Sequence, residues 1–370
     1  MEFIDLKRQY QLRREVIDQA LAEVAASARY IMGPQVAELE ERLAEFVGVR
    51  QAVGVGSGTD ALLVALMALG LKPGDEVICP AFTFIAAAET VALLGGRPVL
   101  ADVEPQGGTL DPQAVEAAVS QRTVGLIPVN LFGQCARLEE LEAVASRLGL
   151  WLIEDGAQSF GAQRKGRMSC SFGQIAITSF FPAKPLGCMG DGGMAFTNDP
   201  ALAETMRSLR VHGDGGRYQH VDLGLNARLD TLQAAVLLAK MSFFEEELEL
   251  RNQAAAVYDR ALSSVDGLEI PVLLEGNTSV WAQYTVKTEN RDGLADHLHK
   301  KGIPTAVHYP RPLQDQPIFK KIGRAPVGLK VAEELSRRVL SLPMHPYLTP
   351  EEQDRVVQAV DSFKRTESAA

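Results

Sequence analysis

The chain has 370 residues, 46% of them hydrophobic and 23% charged, with a formal net charge of −10. That length supports a large core and predicts two domains, and the acid excess excludes a nucleic-acid footprint or adhesion to an anionic membrane surface. The cysteines (Cys79, Cys135, Cys170, Cys188) and histidines show no metal-ligand spacing, and no apolar run nears the ~18 residues that span a bilayer. With no apolar signal region at the start either, the expectation is a cytoplasmic protein with reduced thiols and no metal.

An N-terminal helical region comes first. Gly33-Pro34 then opens a helix on which Val36, Leu39, Leu43, Phe46 and Val47 recur on one face. Short apolar runs come next, separated by helical patterns. Val53–Val55 leads to a helix over about Thr59–Leu69, then to the turn KPGD and the run Val77–Cys79. Pro98–Val103 precedes a helix opened by Asp111-Pro112, with Asp as cap and Pro in the first turn. Val124–Val129, a helix over Leu138–Leu148 and Trp151–Ile153 complete the alternation, which predicts βαβ units and a mostly parallel sheet covered on both faces.

Ile175–Phe181 and Met194–Thr197 read as further strands, flanking the loop TSFFPAKPLGCMGDGG (Thr178–Gly193). A helical pattern runs from about Thr231 to Leu262, long enough to bridge two domains as one helix. Beyond it, strands at Tyr284–Lys287 and Thr305–His308 and helices at Gly293–Lys301, Leu329–Leu340 and Pro350–Ser362 predict a smaller α+β unit. The boundary is placed at 245/246, giving a large unit of residues 1–245 and a small one of residues 246–370.

Several stretches carry candidate chemistry. GVGSGTDA (Gly54–Ala61) sits where a strand hands over to a helix, so its free N–H groups and positive dipole end suit an anion. The glycines do not match a dinucleotide fingerprint, so the stretch is either a single-phosphate cup or an ordinary N-capped strand-to-helix turn. Trp151–Ala162 (WLIEDGAQSFGA) stops abruptly at Glu154-Asp155, on the strand end that faces the ligand crevice of an open parallel sheet. Asp155 there either caps a helix after the strand or holds a cationic nitrogen, with Gln158 close by. Phe82-Thr83-Phe84 is core or an aromatic platform. Asn226 and Arg228 before the long helix are cap and surface charge, or ligand contacts; His308-Tyr309 is a rigid turn or a binding pair.

Lys184, isolated among prolines and glycines, is the residue that joins these pieces. A phosphate cup, an acid for a ring nitrogen, an aromatic stacker and a lone lysine are the parts of a pyridoxal phosphate site. The lysine bonds the cofactor's aldehyde, and the acid keeps the ring nitrogen protonated so that the ring accepts carbanion charge.

With these motifs in this order, from FIDLKRQ at Phe3 through GSGTDAL, FTF, IEDGAQSFGA, TSFFPAKPLGCMGDGG, LNARLDTLQAA and HYPRPL, the chain resembles the DegT/DnrJ/EryC1/StrS family of nucleotide-sugar aminotransferases. The resemblance implies the pyridoxal-phosphate fold of type I, as in aspartate aminotransferase: a large α/β domain with a mostly parallel sheet and a smaller α+β C-terminal domain. It implies Lys184 as the cofactor-bonding lysine and Asp155 as the ring-nitrogen partner. Gln158 would contact the ring hydroxyl and Phe84 would stack. Gly58, Thr59 and Ser179 would bind the phosphate, joined by Asn226 from a neighbouring subunit, hence a homodimer with shared sites. Arg228, His308 and Tyr309 match positions that meet the sugar.

The implied reaction is ping-pong transfer from L-glutamate, which leaves as 2-oxoglutarate, to a UDP-linked keto sugar. Within the family the chain looks most like enzymes that aminate C3 of a 3-keto UDP-N-acetylglucosaminuronic acid on the way to a 2,3-diamino sugar of surface polysaccharide. A C4 aminotransferase of a 4-keto-6-deoxy sugar is the alternative. A dehydratase is disfavoured because Lys184 stands where those relatives carry histidine, and a non-catalytic sensor is disfavoured by the complete set of matched positions. Two departures stand out: Gly156 where alanine is usual, expected to be harmless, and Arg311 in place of an apolar residue at the rim of the sugar pocket.

Overall fold

The computed structural model describes residues 1–368. Helix α1 (Leu6–Ser27) starts at Asp5, whose side chain accepts the Arg8 N–H; α2 (Pro34–Val47) begins on proline and ends at the left-handed Gly48. Strand and helix then alternate: β1 (Gln51–Val55), α3 (Gly58–Ala68), β2 (Glu76–Pro80), α4 (Ala86–Leu93), β3 (Arg97–Ala101), α5 (Pro112–Ala118), β4 (Thr123–Leu126), α6 (Leu138–Leu148) and β5 (Trp151–Asp155). A short hairpin, β6 (Gln163–Arg164) with β7 (Arg167–Met168), precedes β8 (Ile175–Ser179), β9 (Gly193–Thr197) and α7 (Pro200–Leu209).

Seven of these strands form one sheet in the order β1-β9-β8-β5-β4-β2-β3. Strand β9 runs antiparallel to both neighbours, and the other pairings are parallel. Successive residues of each strand bury into opposite cores. Val53, Val55, Val77, Cys79, Ile175 and Ile177 face the cluster under α3, α4 and α7. Ile78, Val99, Leu126 and Leu152 face α6, while Ala52, Ala176 and Phe196 face α2 and the start of the C-terminal helices. With both faces dry, the strands read as short apolar runs.

The helical stretch after the sheet is two helices, α8 (Thr231–Met241) and α9 (Phe244–Leu262), and this corrects the single helix expected over 231–262. Phe243 leaves helical geometry (φ −131°, ψ 10°). The Ser242 hydroxyl donates back to the Ala239 carbonyl at 2.6 Å. The break sends two successive rings into different places: Phe243 lies under the Arg13 guanidinium, and Phe244 packs on Phe46 and Phe160.

The C-terminal part adds β10 (Tyr284–Lys287), α10 (Arg291–Lys300), α11 (Phe319–Ile322), α12 (Lys330–Arg338), β11 (Val339–Leu342) and α13 (Pro350–Ser368). Here a second expectation is corrected. Thr305–His308 makes one isolated bridge, Ala306 to Ser341, and the antiparallel partner of β10 is β11. Strand β11 is buried along its whole length, so its apolar residues lack a period of two and read as the end of a helix. A separate core forms around Tyr258, Tyr284, Leu298, Leu340 and Val360. Leu313, Phe319, Leu329 and Leu335 instead join the core of the large sheet.

Candidate active site

Strands β1, β2, β5 and β8 point their carboxyl ends the same way, and the segments that leave those ends meet in a cavity of about 590 Å³. Strand β1 delivers Ser57, Gly58 and Thr59, and β2 delivers Thr83 and Phe84. Strand β5 supplies Asp155 and Gln158, and β8 supplies Ser179 and the loop bearing Lys184. The opposite wall consists of Phe3 and Ile4 from the N-terminus and Gln283, Ala306, His308 and Tyr309 from the C-terminal part. Nine residues singled out in the sequence therefore converge: Gly58, Thr59, Phe84, Asp155, Gln158, Ser179, Lys184, His308 and Tyr309.

Asn226 and Arg228 are not among the residues lining this cavity. Their segment runs antiparallel beside Val55, where the Gly56 N–H donates to the Ala227 carbonyl at 3.0 Å. Asn226 is exposed, and the Arg228 Nε is buried without an acceptor. Arg311 is exposed and also stands apart from the cavity wall.

The anion cup is a product of close packing. Ser57 caps α3 by accepting the Asp60 N–H at 3.0 Å. A Cβ on Gly58 would stand 2.7 Å from the Ser179 Cβ, and one on Gly193 would stand 2.4 Å from the Ser57 carbonyl carbon. The glycines after Lys184 sit in similarly close packing. A Cβ on Gly187 would lie 2.4 Å from the Pro182 carbonyl oxygen, so the lysine loop folds tightly on itself. The Lys184 N–H closes that turn on the Phe181 carbonyl at 2.8 Å.

Asp155 is buried, and its Oδ1 accepts the Ala157 N–H at 3.0 Å, so it caps a turn as well as facing the cavity; no helix comes directly after it. Burial raises its carboxyl pKa above the usual range, and the Lys184 charge opposes that rise. Burial lowers the Lys184 amine, against the pull of Asp155. His308 is lowered too, by burial and then by the Lys184 charge, so it faces the cavity as a neutral ring.

Gln158 is oriented by its surroundings. Its Oε1 accepts the Phe132 N–H at 2.9 Å, which leaves its Nε2 to donate to the Tyr309 hydroxyl at 3.2 Å. The Phe84 ring, 56% exposed, stands 6.2 Å from that of Tyr309. Behind β5, Glu154 points the other way into a fully buried polar cluster. It accepts from Asn130 Nδ2 at 2.7 Å and Ser169 Oγ at 3.0 Å, and from the Cys170 and Phe172 N–H groups. Gly156 is explained by the same cluster: a Cβ there would meet the Cys170 Sγ at 2.4 Å.

Three further residues of the wall acquire their character only in the folded chain. The Thr83 hydroxyl and the Gln283 carbonyl oxygen are both buried with no hydrogen-bond partner, and Asp191 stands at the rim. Thr83 carried a faint signal inside the FTF motif; Gln283 carried none. Pyridoxal phosphate fits this set of groups. A cradle that a Cβ would fill lies at a helix start, an acid and a half-buried amine interact in the cavity, and an unpaired buried hydroxyl belongs to the same wall.

Comparisons with known proteins agree in direction. The model of the DegT/DnrJ/EryC1/StrS aminotransferase family matches residues 11–361. A protein of Pseudomonas aeruginosa, UDP-2-acetamido-2-deoxy-3-oxo-D-glucuronate aminotransferase, is 52% identical over 94% of this chain and 96% of its own length. The crystal structure of DesV of S. venezuelae in complex with a ketimine intermediate is 41% identical at a TM-score of 0.95, covering 98% of each chain. NtdA of Bacillus subtilis, solved with bound cofactor PMP, is 30% identical at a TM-score of 0.91 over 99% of this chain and 85% of that one.

Proposed function

The chain belongs to the DegT/DnrJ/EryC1/StrS aminotransferase family, and we propose that it moves the amino group of L-glutamate onto C3 of UDP-2-acetamido-2-deoxy-3-oxo-D-glucuronate. The observation that carries this reading is the half-buried Lys184 with the buried Asp155 in the cavity beside the α3 anion cup, in a chain 52% identical to an aminotransferase of that substrate. Pyridoxal 5′-phosphate, when bound, supplies an aldehyde carbon that takes and releases an amino group and a ring that accepts the electron pair of a broken C–H bond.

The chain's own residues do the rest. Gly58, Thr59 and Ser179 hold the phosphate at the start of α3, where the dipole favours an anion. Asp155 Oδ, buried from solvent, would hold the ring nitrogen's proton where an opposite charge counts for more than in water. Phe84 would stack on the ring, and Gln158, which donates to the Tyr309 hydroxyl, would contact the ring hydroxyl. Lys184 Nζ would serve as the base and acid that moves the proton between the amino-bearing carbon of the substrate and the cofactor carbon. Its lowered pKa keeps a neutral amine available for that work. Each half-reaction uses the same groups in reverse order.

Asn226 and Arg228 belong, in this reading, to the neighbour's site across a homodimer. Support comes from Asn226 being exposed and from this protomer's cavity, whose charged lining is one lysine against two aspartates. A partner's Arg228 would meet the uronate carboxylate as a planar two-donor fork. The same reading places the work in the cytoplasm, feeding a 2,3-diamino uronic acid to surface polysaccharide. It divides the chain into cofactor-binding residues 1–245 and a smaller unit from 246, supported by the separate core around Tyr258 and Tyr284.

The test is a substrate comparison. With glutamate as donor, kcat/KM for the 3-keto uronate should exceed that for the matching neutral 3-keto sugar, and a 4-keto-6-deoxy sugar should react least. Equal or better use of the neutral sugar would remove the uronate from the proposal, and preference for the 4-keto sugar would move the chemistry to C4.

A further inference from the structure

Gln283 stands just before β10, on the cavity wall it shares with Ala306, His308 and Tyr309. Its backbone N–H reaches toward the Phe132 carbonyl at 3.5 Å, and Phe132 in turn donates to Gln158, so the residue is tied to the frame that orients Gln158. Its side-chain carbonyl oxygen is buried and accepts nothing. Buried amide oxygens are rarely left unpaired, because the lost hydration is not recovered.

A partner for that oxygen has two possible sources. Gln283 also lines a narrow second cavity of about 30 Å³ beside Gln134, Ser279, Trp281 and Lys287, with room for a single water. The other source is a substrate in the main cavity, whose charged lining residues are Lys184, Asp155 and Asp191. None of these sits on the wall formed by Phe3, Gln283, Ala306 and His308. That wall therefore recognises its ligand through neutral hydrogen bonds and surface contact. An unpaired acceptor asks for a donor, and glutamate has none to spare: its carboxylates only accept, and its amino group is committed to the cofactor's aldehyde carbon. A sugar offers hydroxyls and an acetamido N–H.

We propose that Gln283 is a specificity-determining residue for the acceptor sugar, its side-chain oxygen taking a hydrogen bond from a ring hydroxyl or acetamido N–H in the second half-reaction. This rests on the sugar-aminotransferase reading above. Methionine keeps nearly the length and volume of glutamine and removes the amide, so Gln283→Met isolates the contact. In the dimeric holoenzyme, the KM for the keto sugar should rise about tenfold while kcat falls by a smaller factor and the KM for glutamate stays within about twofold. An unchanged sugar KM would overturn the proposal and assign the oxygen to the water of the narrow cavity. An equal loss with both substrates would overturn it as well, leaving Gln283 a packing residue. The unmodified enzyme run alongside separates the two claims: if it aminates no keto sugar, the functional reading itself is wrong.

Discussion

Lys184 and Asp155 line one cavity, and each pulls the other's titration back toward its ordinary value against burial. Removing the amine should be decisive. Lys184→Ala is expected to lower turnover by at least about 10³-fold while the protein keeps its fold and binds cofactor non-covalently, as read by steady-state rates and the cofactor's absorbance. Near-normal turnover would mean that another group moves the proton. Asp155→Asn should lower kcat by about 10²- to 10³-fold with cofactor still bound. It also has a pH signature. The reactive form of Lys184 is the neutral amine, so the sugar half-reaction speeds up as pH rises through its pKa. The Asp155 charge raises that pKa, so in Asp155→Asn the rising limb should shift to lower pH; a shift upward would contradict the pairing. These two residues were legible because their chemistry needs rare residue types in rare places. A lone lysine among prolines and an acid ending an apolar run have few structural explanations. Thr83 and Gln283 were not legible, because an unpaired hydroxyl or amide exists only once the walls have closed around it.

Strand β9 and the start of α3 depend on each other through contacts too close for any side chain. Gly193→Ala would drive a Cβ into the Ser57–Gly58 backbone, and the expected cost is about 2–3 kcal/mol of stability together with at least tenfold weaker cofactor binding. Gly190→Ala is the control. Its nearest neighbour is the movable end of the Gln233 side chain, and the expected loss stays within about 0.5 kcal/mol. Melting curves and cofactor titration measure both, and equal effects would refute the packing account of the cup. At this scale the alternation from β1 to β5 was legible, since strands buried on both faces appear as short apolar runs between turn residues. The break at Ser242–Phe243 was not, because it comes from two adjacent rings finding separate tertiary partners. Strand β11 was misread for a related reason: full burial erased the alternation that marks a half-exposed strand.

For the molecule as a whole, two buried groups set opposing pH dependences. Burial holds His345 down to about 4, with the Arg251 charge adding to the effect, so below pH 6.5 the unfolded chain takes up a proton that the folded one refuses. Stability from this group is lost on acidification. Burial raises Glu154 to about 7 despite its four donors, so between about pH 4.5 and 7 the folded chain binds the extra proton. Stability from that group is lost as pH rises. The two slopes, each about 1.4 kcal/mol per pH unit, nearly cancel over the shared window. Glu154→Gln removes one of them and should make unfolding free energy fall more steeply from pH 6.5 to 5 than in the unmodified protein; a shallower fall would reverse the assignment. The seven-stranded sheet, its cavity at the strand ends and the family's match over residues 11–361 agree with a sugar aminotransferase. The most direct measurement supplies ¹⁵N-labelled L-glutamate and UDP-2-acetamido-2-deoxy-3-oxo-D-glucuronate to the holoenzyme and reads the product by NMR. The account predicts one ¹⁵N bonded to C3 of the sugar for each 2-oxoglutarate formed, and none with Lys184→Ala; label absent from the sugar, or equal labelling by Lys184→Ala, would contradict it.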